Sequence, residues 1–312
     1  MFIRLGETSK ETDALSYRKE DECLTAAYLT ADELLECKDR FGFGDGPVNA
    51  CMEAGGNYRT SAEVYPDYTF FELKVFDWDD PSRDDDLALF LRSNLFAVVN
   101  VSDPDGSSRT VFDRAVRRFS SRTMDLEKMI HSFFNELMTK DVRYIEALRT
   151  DVSEMEASVL KGEVSEDFNG EMLRLKKQIS RMLNLYEQYL DVLEELETNE
   201  NDLFATEPLL HVSNLIGRIT RLKADVDSMG GDLEHVTDAY VAHLDLKANR
   251  NRNYLTVLTT IVFPLTIQVG WYGMNFKTMP ELDWKWGYLY VILLSLGLIG
   301  LLIFIAKKKK WF

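Results

Sequence analysis

The sequence predicts an α+β domain that is followed by long helices and by two transmembrane helices near the C-terminus. Three observations support this fold class. Residues 1–112 contain short runs rich in Phe, Val and Leu, which are typical of strands. After about Thr110 the apolar residues recur with a helical period. Two uncharged runs of 24 and 20 residues then follow.

The N-terminal region combines one clear helical pattern with several strand patterns. "LTADELLECKDRF" predicts a helix with Thr30 as its N-cap and acids in its first turn. "YTFFELKVFD", "LALFLRS" and "LFAVVNVSD" predict strands. "FGFGDGP" predicts a turn after the helix rather than a phosphate-binding loop, because no Lys-Ser or Lys-Thr pair follows it.

The middle of the chain is predicted to be helical. Apolar residues recur at threes and fours in Leu126, Met129, Ile130, Phe133, Phe134 and Leu137. A second helix, "EDFNGEMLRLKKQISRMLNLYEQYLDVLEELE", follows a break near Gly162. A third begins near Thr206–Pro208 and would be about 100 Å long if unbroken to Tyr272. The pair Gly230-Gly231 indicates either a flexible point or a close-packing site in that helix.

The two uncharged runs predict membrane spans. Asn253–Phe276 and Gly287–Ala306 contain no Asp, Glu, Lys, Arg or His. A helix of about 20 apolar residues crosses a hydrocarbon core of about 30 Å. Trp284 and Trp286 suit the aromatic belt at a membrane surface, beside the second span.

The basic residues predict the orientation of the spans. Arg250 and Arg252 precede the first span, and Lys307–Lys310 follow the second. The intervening loop contains two lysines that are balanced by two acids. Because cytoplasmic flanks are enriched in Lys and Arg, we expect a multi-pass protein of the cell membrane with both termini in the cytoplasm.

Charge and motif content restrict the function classes. The sequence has 36 Lys and Arg against 52 Asp and Glu, and residues 1–249 alone have a net charge of −22. This acidity disfavours nucleic acid as a partner and either favours cations or serves solubility alone. No nucleophile–base pair and no set of metal ligands stands out, so the chain is not expected to be an enzyme.

These patterns divide the chain into seven segments. The predicted segments are a cytosolic α/β domain (1–112), a helical hairpin region (113–205), a stalk helix (206–252), transmembrane helix 1 (253–276), an extracellular loop (277–286), transmembrane helix 2 (287–306) and a basic cytosolic tail (307–312).

One side of the first span carries polar and small residues. At 100° per residue, an arc of about 100° contains Asn249, Arg252, Thr256, Thr259, Phe263, Thr266 and Gly270. Such a stripe either packs closely against another helix or lines a water-filled pore. Because two spans cannot enclose a pore, the pore interpretation requires an oligomer. Gln268 lies off the stripe and suggests a helix–helix hydrogen bond.

"YGMNF", followed by "MPELDWKWGY" and a second span ending in "KKKKWF", closely resembles the CorA family of magnesium and cobalt channels and transporters. Gly273-Met274-Asn275 matches the signature triplet of that family. The detailed resemblance covers residues 249–312, and the order of elements extends it loosely to most of the chain. The resemblance implies a homopentamer in the lipid bilayer, with a funnel-shaped cytosolic domain.

The resemblance also implies a selectivity filter and a pore. Gly273, Met274 and Asn275 would form the filter, where amide and carbonyl oxygens bond to the water shell of Mg²⁺ without stripping it. Arg252 and Phe263 stand where the family often has methionine. The implied pore lining is Asn249, Arg252, Leu255, Thr256, Thr259, Phe263, Thr266 and Gly270.

In this family, Mg²⁺ bound between cytosolic subunits holds the closed state, at acids on a short helix and on the stalk. Here the matching short helix, "VNACMEAGG", has Glu53 as its only acid, and the stalk position is Asn214. We therefore expect other stalk acids to contribute. The candidate regulatory metal ligands are Glu53, Asp225, Asp227 and Asp238.

The predicted function is uptake of hydrated Mg²⁺, driven by the membrane potential and closed by cytosolic Mg²⁺. Two alternatives remain open at this point. One is transport of another divalent cation, namely Co²⁺, Ni²⁺ or Zn²⁺. The other is a membrane-anchored sensor without transport.

Overall fold

A computed structural model describes residues 1–6, 10–52, 62–76, 84–118, 123–205, 209–274, 279 and 284–308. The chain divides into two units. The first comprises Met1–Ala157 and Val164–His235, and the second comprises Ser158–Glu163 and Val236–Phe312.

The first unit contains a seven-stranded sheet. Its order is β2-β1-β3-β7-β6-β5-β4, and only the β3–β7 pair is parallel. The strands predicted from the three Phe- and Val-rich runs are confirmed as β5, β6 and β7. The strands are β1 (Phe2–Arg4), β2 (Lys10–Thr12), β3 (Thr25–Thr30), β4 (Ala62–Tyr65), β5 (Tyr68–Phe76), β6 (Asp84–Arg92) and β7 (Leu95–Ser102).

Eight helices are described, together with a 3-10 turn at Ala14–Ser16. The prediction of a turn throughout "FGFGDGP" is only partly right, because α2 already begins at Asp45 within that stretch. The helices are α1 (Ala31–Phe41), α2 (Asp45–Met52), α3 (Ser107–Arg117), α4 (Leu126–Leu137), α5 (Asp141–Lys161), α6 (Phe168–Thr198), α7 (Leu210–Tyr272) and α8 (Gly287–Lys308).

Local chemistry sets both ends of α1. The Thr30 hydroxyl accepts a 3.3 Å hydrogen bond from the Glu33 amide, and the Glu33 carboxylate accepts one of 2.9 Å from the Thr30 amide. This reciprocal capping box confirms Thr30 as the N-cap. Gly42 ends the helix at a φ of 67°, a left-handed conformation that glycine adopts at low cost.

Helices cover both faces of the sheet. On one face, α1 and α2 share a core with the strands, in which the Phe43 and Phe90 ring centroids are 4.3 Å apart. On the other face, α4 packs on β7, and the ring centroids of Phe96 and Phe133 are 5.4 Å apart. All six apolar residues that predicted the α4 periodicity are buried.

Helix α7 is continuous from Leu210 to Tyr272. Its predicted start at 206–208 lies outside the described residues, whereas its predicted end at Tyr272 is confirmed. At Gly230 an added Cβ would lie 3.7 Å from the Ile179 Cγ2, and at Gly231 nothing lies within 4 Å. Close packing therefore does not require glycine at either position.

Candidate functional site

The second unit contains the two most apolar helical segments. The apolar segments of α7 and α8 are long and nearly free of charged residues, and only 6% of each is buried. The core helix of a soluble protein would be mostly buried. These exposed, apolar helices have the length and composition of membrane spans.

The residues of the predicted polar stripe are exposed on the side of α7 away from α8. On the opposite side Val257 is only 3% exposed and Gln268 contacts α8. The stripe therefore does not mediate the contact between α7 and α8 within one chain. All eight residues predicted to line the pore lie in α7 and are exposed, namely Asn249, Arg252, Leu255, Thr256, Thr259, Phe263, Thr266 and Gly270.

The threonines of the stripe donate their hydroxyl protons to their own helix. Thr256 Oγ1 donates to the Arg252 carbonyl at 2.9 Å, and Thr259 Oγ1 donates to the Leu255 carbonyl at 2.9 Å. Thr266 Oγ1 likewise donates to the Val262 carbonyl at 3.0 Å. Each hydroxyl oxygen keeps lone pairs that can accept a hydrogen bond from outside the helix. The stripe can thus accept hydrogen bonds from the water shell of a cation.

Gln268 joins the two apolar helices. Its Nε2 donates to the Val291 carbonyl at 3.4 Å, and Ser295 Oγ donates to the same carbonyl at 2.8 Å. The predicted helix–helix hydrogen bond of Gln268 is confirmed. Its Oε1 has no hydrogen-bond partner within the described part of the chain. It lies beside an apolar groove of about 620 Å³ that is lined by Pro264, Ile267, Trp271, Leu294 and Leu298, among others.

The predicted filter triplet lies at the end of α7. The Gly273 amide donates to the Val269 carbonyl at 2.9 Å, and the Met274 amide donates to the Trp271 carbonyl at 3.4 Å. A Cβ on Gly273 would lie 3.0 Å from the Val269 carbonyl oxygen, so a side chain would crowd the backbone there. Asn275 lies outside the described residues.

Aromatic residues occur at the start of α8, which is the same end of the pair. The side chains of Trp284 and Trp286 are exposed, and the Gly287 amide donates to the Trp284 carbonyl at 2.9 Å. Ring centroids of Trp284 and Tyr290 are 6.0 Å apart. Exposed tryptophans at a helix end match the aromatic belt predicted for the membrane surface.

Among the described residues, the candidate regulatory acids Asp225, Asp227 and Asp238 are not part of a triplet that could hold a metal ion. Asp225 is exposed and lies 3.9 Å from the Arg149 guanidinium. Asp227 and Asp238 are also exposed on α7, and Glu53 lies outside the described residues.

Within the described part of the chain, the carboxylates of Asp85, Asp103 and Asp105 lie close enough to one another to share a cation, and this triplet was not predicted from the sequence. Asp103 accepts hydrogen bonds from the amides of Gly106, Ser107 and Ser108, at 2.9 Å, 3.1 Å and 3.0 Å. These bonds make Asp103 a cap for the start of α3. They account for the cluster without a metal ion. The stretch "DPDGSS" was the available sequence signal.

Residues 26–308 match the family described as CorA-like Mg²⁺ transporter protein. The chain belongs to this family. The match extends from β3 in the first unit to the end of α8, so it includes strands β3 to β7, the long helices and both apolar spans.

Two curated relatives illustrate the range of similarity. The cobalt/magnesium transport protein CorA of Thermotoga maritima is 26% identical over 262 residues, which cover 81% of this chain and 73% of that protein. The putative metal ion transporter YfjQ of Bacillus subtilis is 32% identical over 147 residues, which cover 47% of this chain and 44% of that protein.

The fold is similar to that of a solved full-length CorA structure. The CorA magnesium transporter from Methanocaldococcus jannaschii superposes with a TM-score of 0.82 at 18% identity, covering 100% of this chain and 99% of that chain. This likeness supports the predicted fold class of an α+β unit, long helices and two apolar C-terminal helices. At this identity it shows the fold alone.

Proposed function

We propose that this protein is a membrane channel or transporter for hydrated Mg²⁺. The observation that carries the proposal is the polar stripe on α7, which lies away from α8 in a chain of the CorA-like Mg²⁺ transporter family. In the part of the chain that the structure describes, no helix packs on the stripe. In a water-filled pathway the hydroxyl groups of the stripe can hydrogen-bond to water.

The chemistry of the stripe suits a hydrated ion. Mg²⁺ holds its waters strongly, so its water shell presents hydrogen-bond donors to the wall of a pore. Thr256, Thr259 and Thr266 offer neutral acceptor oxygens, and Asn275 would add an amide oxygen at the outer mouth. Neutral acceptors bind the hydrated ion weakly enough to release it.

The membrane potential supplies the driving force. When a positive charge moves to the negative side of the membrane, its electrical free energy falls by about 2.3 kcal/mol per 100 mV. For a divalent cation the decrease is roughly twice as large. Mg²⁺ entry into a cell with a negative interior therefore needs no coupled hydrolysis reaction.

A pore requires several copies of the chain. Two helices per chain cannot surround a water-filled pathway, and we propose a homopentamer in which each α7 turns its stripe to the centre. Helix α8 then lies on the outer side of α7 and faces the lipid. Both termini would be cytoplasmic, as the basic flanks of the spans indicate.

Two stripe residues differ in chemistry from the threonines. Phe263 provides an apolar constriction, which can act as a gate by excluding water. Arg252 would repel Mg²⁺ if its guanidinium pointed into the pathway. Helical side chains lean toward the N-terminus of their helix, so Arg252 leans toward the cytosol and away from the span.

We also propose that cytosolic Mg²⁺ closes the ion pathway. Residues 1–249 have a net charge of −22, and copies arranged in a ring repel one another unless cations screen or bridge them. Mg²⁺ bound at Glu53, Asp225, Asp227 and Asp238 would favour the compact, closed arrangement. Mg²⁺ then exerts feedback because it binds the closed state more tightly than the open state.

Transport of Co²⁺ is the second candidate, because the Thermotoga maritima relative is named a cobalt/magnesium transport protein. The decisive experiment measures flux of Mg²⁺, Co²⁺, Ni²⁺ and Zn²⁺ into vesicles that contain the purified protein, under an imposed potential. Protein-free vesicles are the control. We expect Mg²⁺ flux that grows with the potential. A lack of flux for every cation would contradict transport and favour a membrane-anchored sensor.

A further inference from the structure

Five basic side chains lie at the end of the α7–α8 pair that is opposite to Gly273. They are exposed, and within the described part of the chain none of them takes part in a salt bridge. Three precede the first span and two end the second, namely Lys247, Arg250, Arg252, Lys307 and Lys308.

Burial along α7 separates these residues into two groups. Val257 is the one buried residue in the described part of the first span, and Gln268, which bonds to Val291 of α8, lies within about 20° of it around the helix. Arg250 precedes Val257 by seven residues, or two turns, and so lies within about 20° of it around the helix. Lys247 is about 60° from Arg250. Arg252 lies about 140° from Val257 and belongs to the polar stripe.

Helix α8 brings two more cations to the same end of the helix pair. Ala306 is 3% exposed and is the last buried residue of α8, and Lys307 and Lys308 follow it directly. Gln268 near the end of α7 bonds to Val291 near the start of α8, so the two helices run in opposite directions. The start of the first span and the end of the second therefore lie at the same membrane surface.

Among the described residues, no acidic side chain forms a salt bridge with this group, which we call the basic cluster: Lys247, Arg250, Lys307 and Lys308. Between Leu246 and Met274 the sequence has no Asp or Glu. The nearest preceding acid, Asp245, is about 140° from Arg250 around α7 and lies on the stripe side. The cluster thus presents exposed positive charge at this end of the helix pair, with Arg250 on the side of α7 away from the polar stripe.

We propose that the basic cluster binds the phosphate of an anionic phospholipid headgroup in the leaflet at this surface. Basic groups beside a transmembrane helix attract anionic lipid, each contributing roughly as much as a fivefold change in affinity. Guanidinium and ammonium groups donate several hydrogen bonds to one phosphate. The exposed Tyr254, one turn beyond Arg250, is amphipathic and suits the interface above that phosphate. The inference rests on the membrane location and not on ion transport.

The test measures lipid binding by the full-length protein. The purified protein is placed in phosphatidylcholine nanodiscs with and without phosphatidylglycerol, and the phosphatidylglycerol bound per chain is titrated and counted by native mass spectrometry. Arg250→Gln is compared with Arg252→Gln, which removes the same charge two residues away on the stripe side. We expect about fivefold weaker phosphatidylglycerol binding for Arg250→Gln and less than twofold for Arg252→Gln.

The test includes a second variant and a competition with inorganic phosphate. Lys307→Gln, on the other helix, should also weaken binding about fivefold, and it serves if Arg250→Gln fails to assemble. Inorganic phosphate should not displace the lipid at matched phosphate concentration. Equal losses for Arg250→Gln and Arg252→Gln would show diffuse surface charge rather than a site, and displacement by phosphate would show a free-anion site. Either result would overturn the proposal.

Discussion

The Tyr186 hydroxyl of α6 donates a 2.8 Å hydrogen bond to Oδ2 of Asp141, the first residue of α5. Asp141 is only 2% exposed. Burial raises the pKa of Asp141 from 3.8 to about 7, although the hydrogen bond from Tyr186 and the charge of Arg218 act in the opposite direction. The folded protein therefore favours a protonated carboxyl at a site where the unfolded chain would be ionised.

We expect the first unit to lose stability as pH rises from about 4 to about 7. The folded pKa lies above the unfolded one, so the folded state binds more protons over this interval. The stabilising contribution is complete below pH 3.8 and is lost as pH passes through about 7. Asp141→Asn keeps an acceptor for Tyr186 without the ionisation, and should flatten this dependence. Urea unfolding followed by circular dichroism at several pH values measures it.

Asp191→Asn is the matched control, because Asp191 is exposed on α6. Its stability should follow the wild-type pH dependence. Parallel curves for Asp141→Asn and wild type would refute the assignment of this dependence to Asp141.

Asn275→Ala should reduce Mg²⁺ uptake to the level of protein-free vesicles. The change removes the amide of the proposed filter, whose neighbour Gly273 is held against the Val269 carbonyl. Asn251→Ala removes an exposed amide of α7 that lies off the polar stripe, and this control should transport normally. Normal uptake by well-assembled Asn275→Ala would exclude the filter role.

The protein should be a pentamer in detergent and in nanodiscs. The physical reason is that each chain supplies two spans and leaves the α7 stripe uncovered. Native mass spectrometry or light scattering gives the copy number. A stable monomer that still transports Mg²⁺ would be incompatible with a pore between copies.

Cytosolic Mg²⁺ should close the pathway. Removal of stalk acids should raise the Mg²⁺ concentration that is needed for closure. In Asp225→Asn/Asp227→Asn the interfaces lose carboxylate ligands, so the flux curve should shift to higher Mg²⁺. Glu53→Ala should shift it in the same direction. Flux is measured against Mg²⁺ on the cytosolic side, with Asp191→Asn as an unshifted control. If wild-type flux does not depend on the cytosolic Mg²⁺ concentration, the proposed closure by Mg²⁺ is wrong.

Sequence reasoning succeeded where the determinants are local. The α1 cap depends on Thr30 and Glu33, three residues apart, and the buried face of α4 depends on a helical period. Strands β1 to β4 were not predicted, and β1 and β2 have only three residues each, too few to show an alternating pattern. Their identity depends on pairing, such as Phe2 with Ala27, that no local signal reveals.

In the candidate site, too, the local features could be predicted from the sequence and the contacts between distant residues could not. A helical wheel identified the polar stripe, but which side of α7 meets α8 depends on the packing of Val257 and Gln268. The cluster of Asp85 with Asp103 and Asp105 was missed because it requires the register of β6 against β7, in which Asp86 pairs with Ser102. Such distant relationships come from tertiary structure rather than from composition or spacing.

The outermost strands of the sheet have a consequence for crowding at the membrane. As described, β2 has three residues and β4 has four, and each has an exposed acid, Glu11 and Glu63 respectively. Copies gathered on one membrane experience a high local concentration, which promotes strand exchange and aggregation through open sheet edges. Short, charged edges offer few unpaired backbone groups to a neighbouring sheet. Association between copies is thereby directed to other surfaces, and the soluble units can crowd together without fusing their sheets.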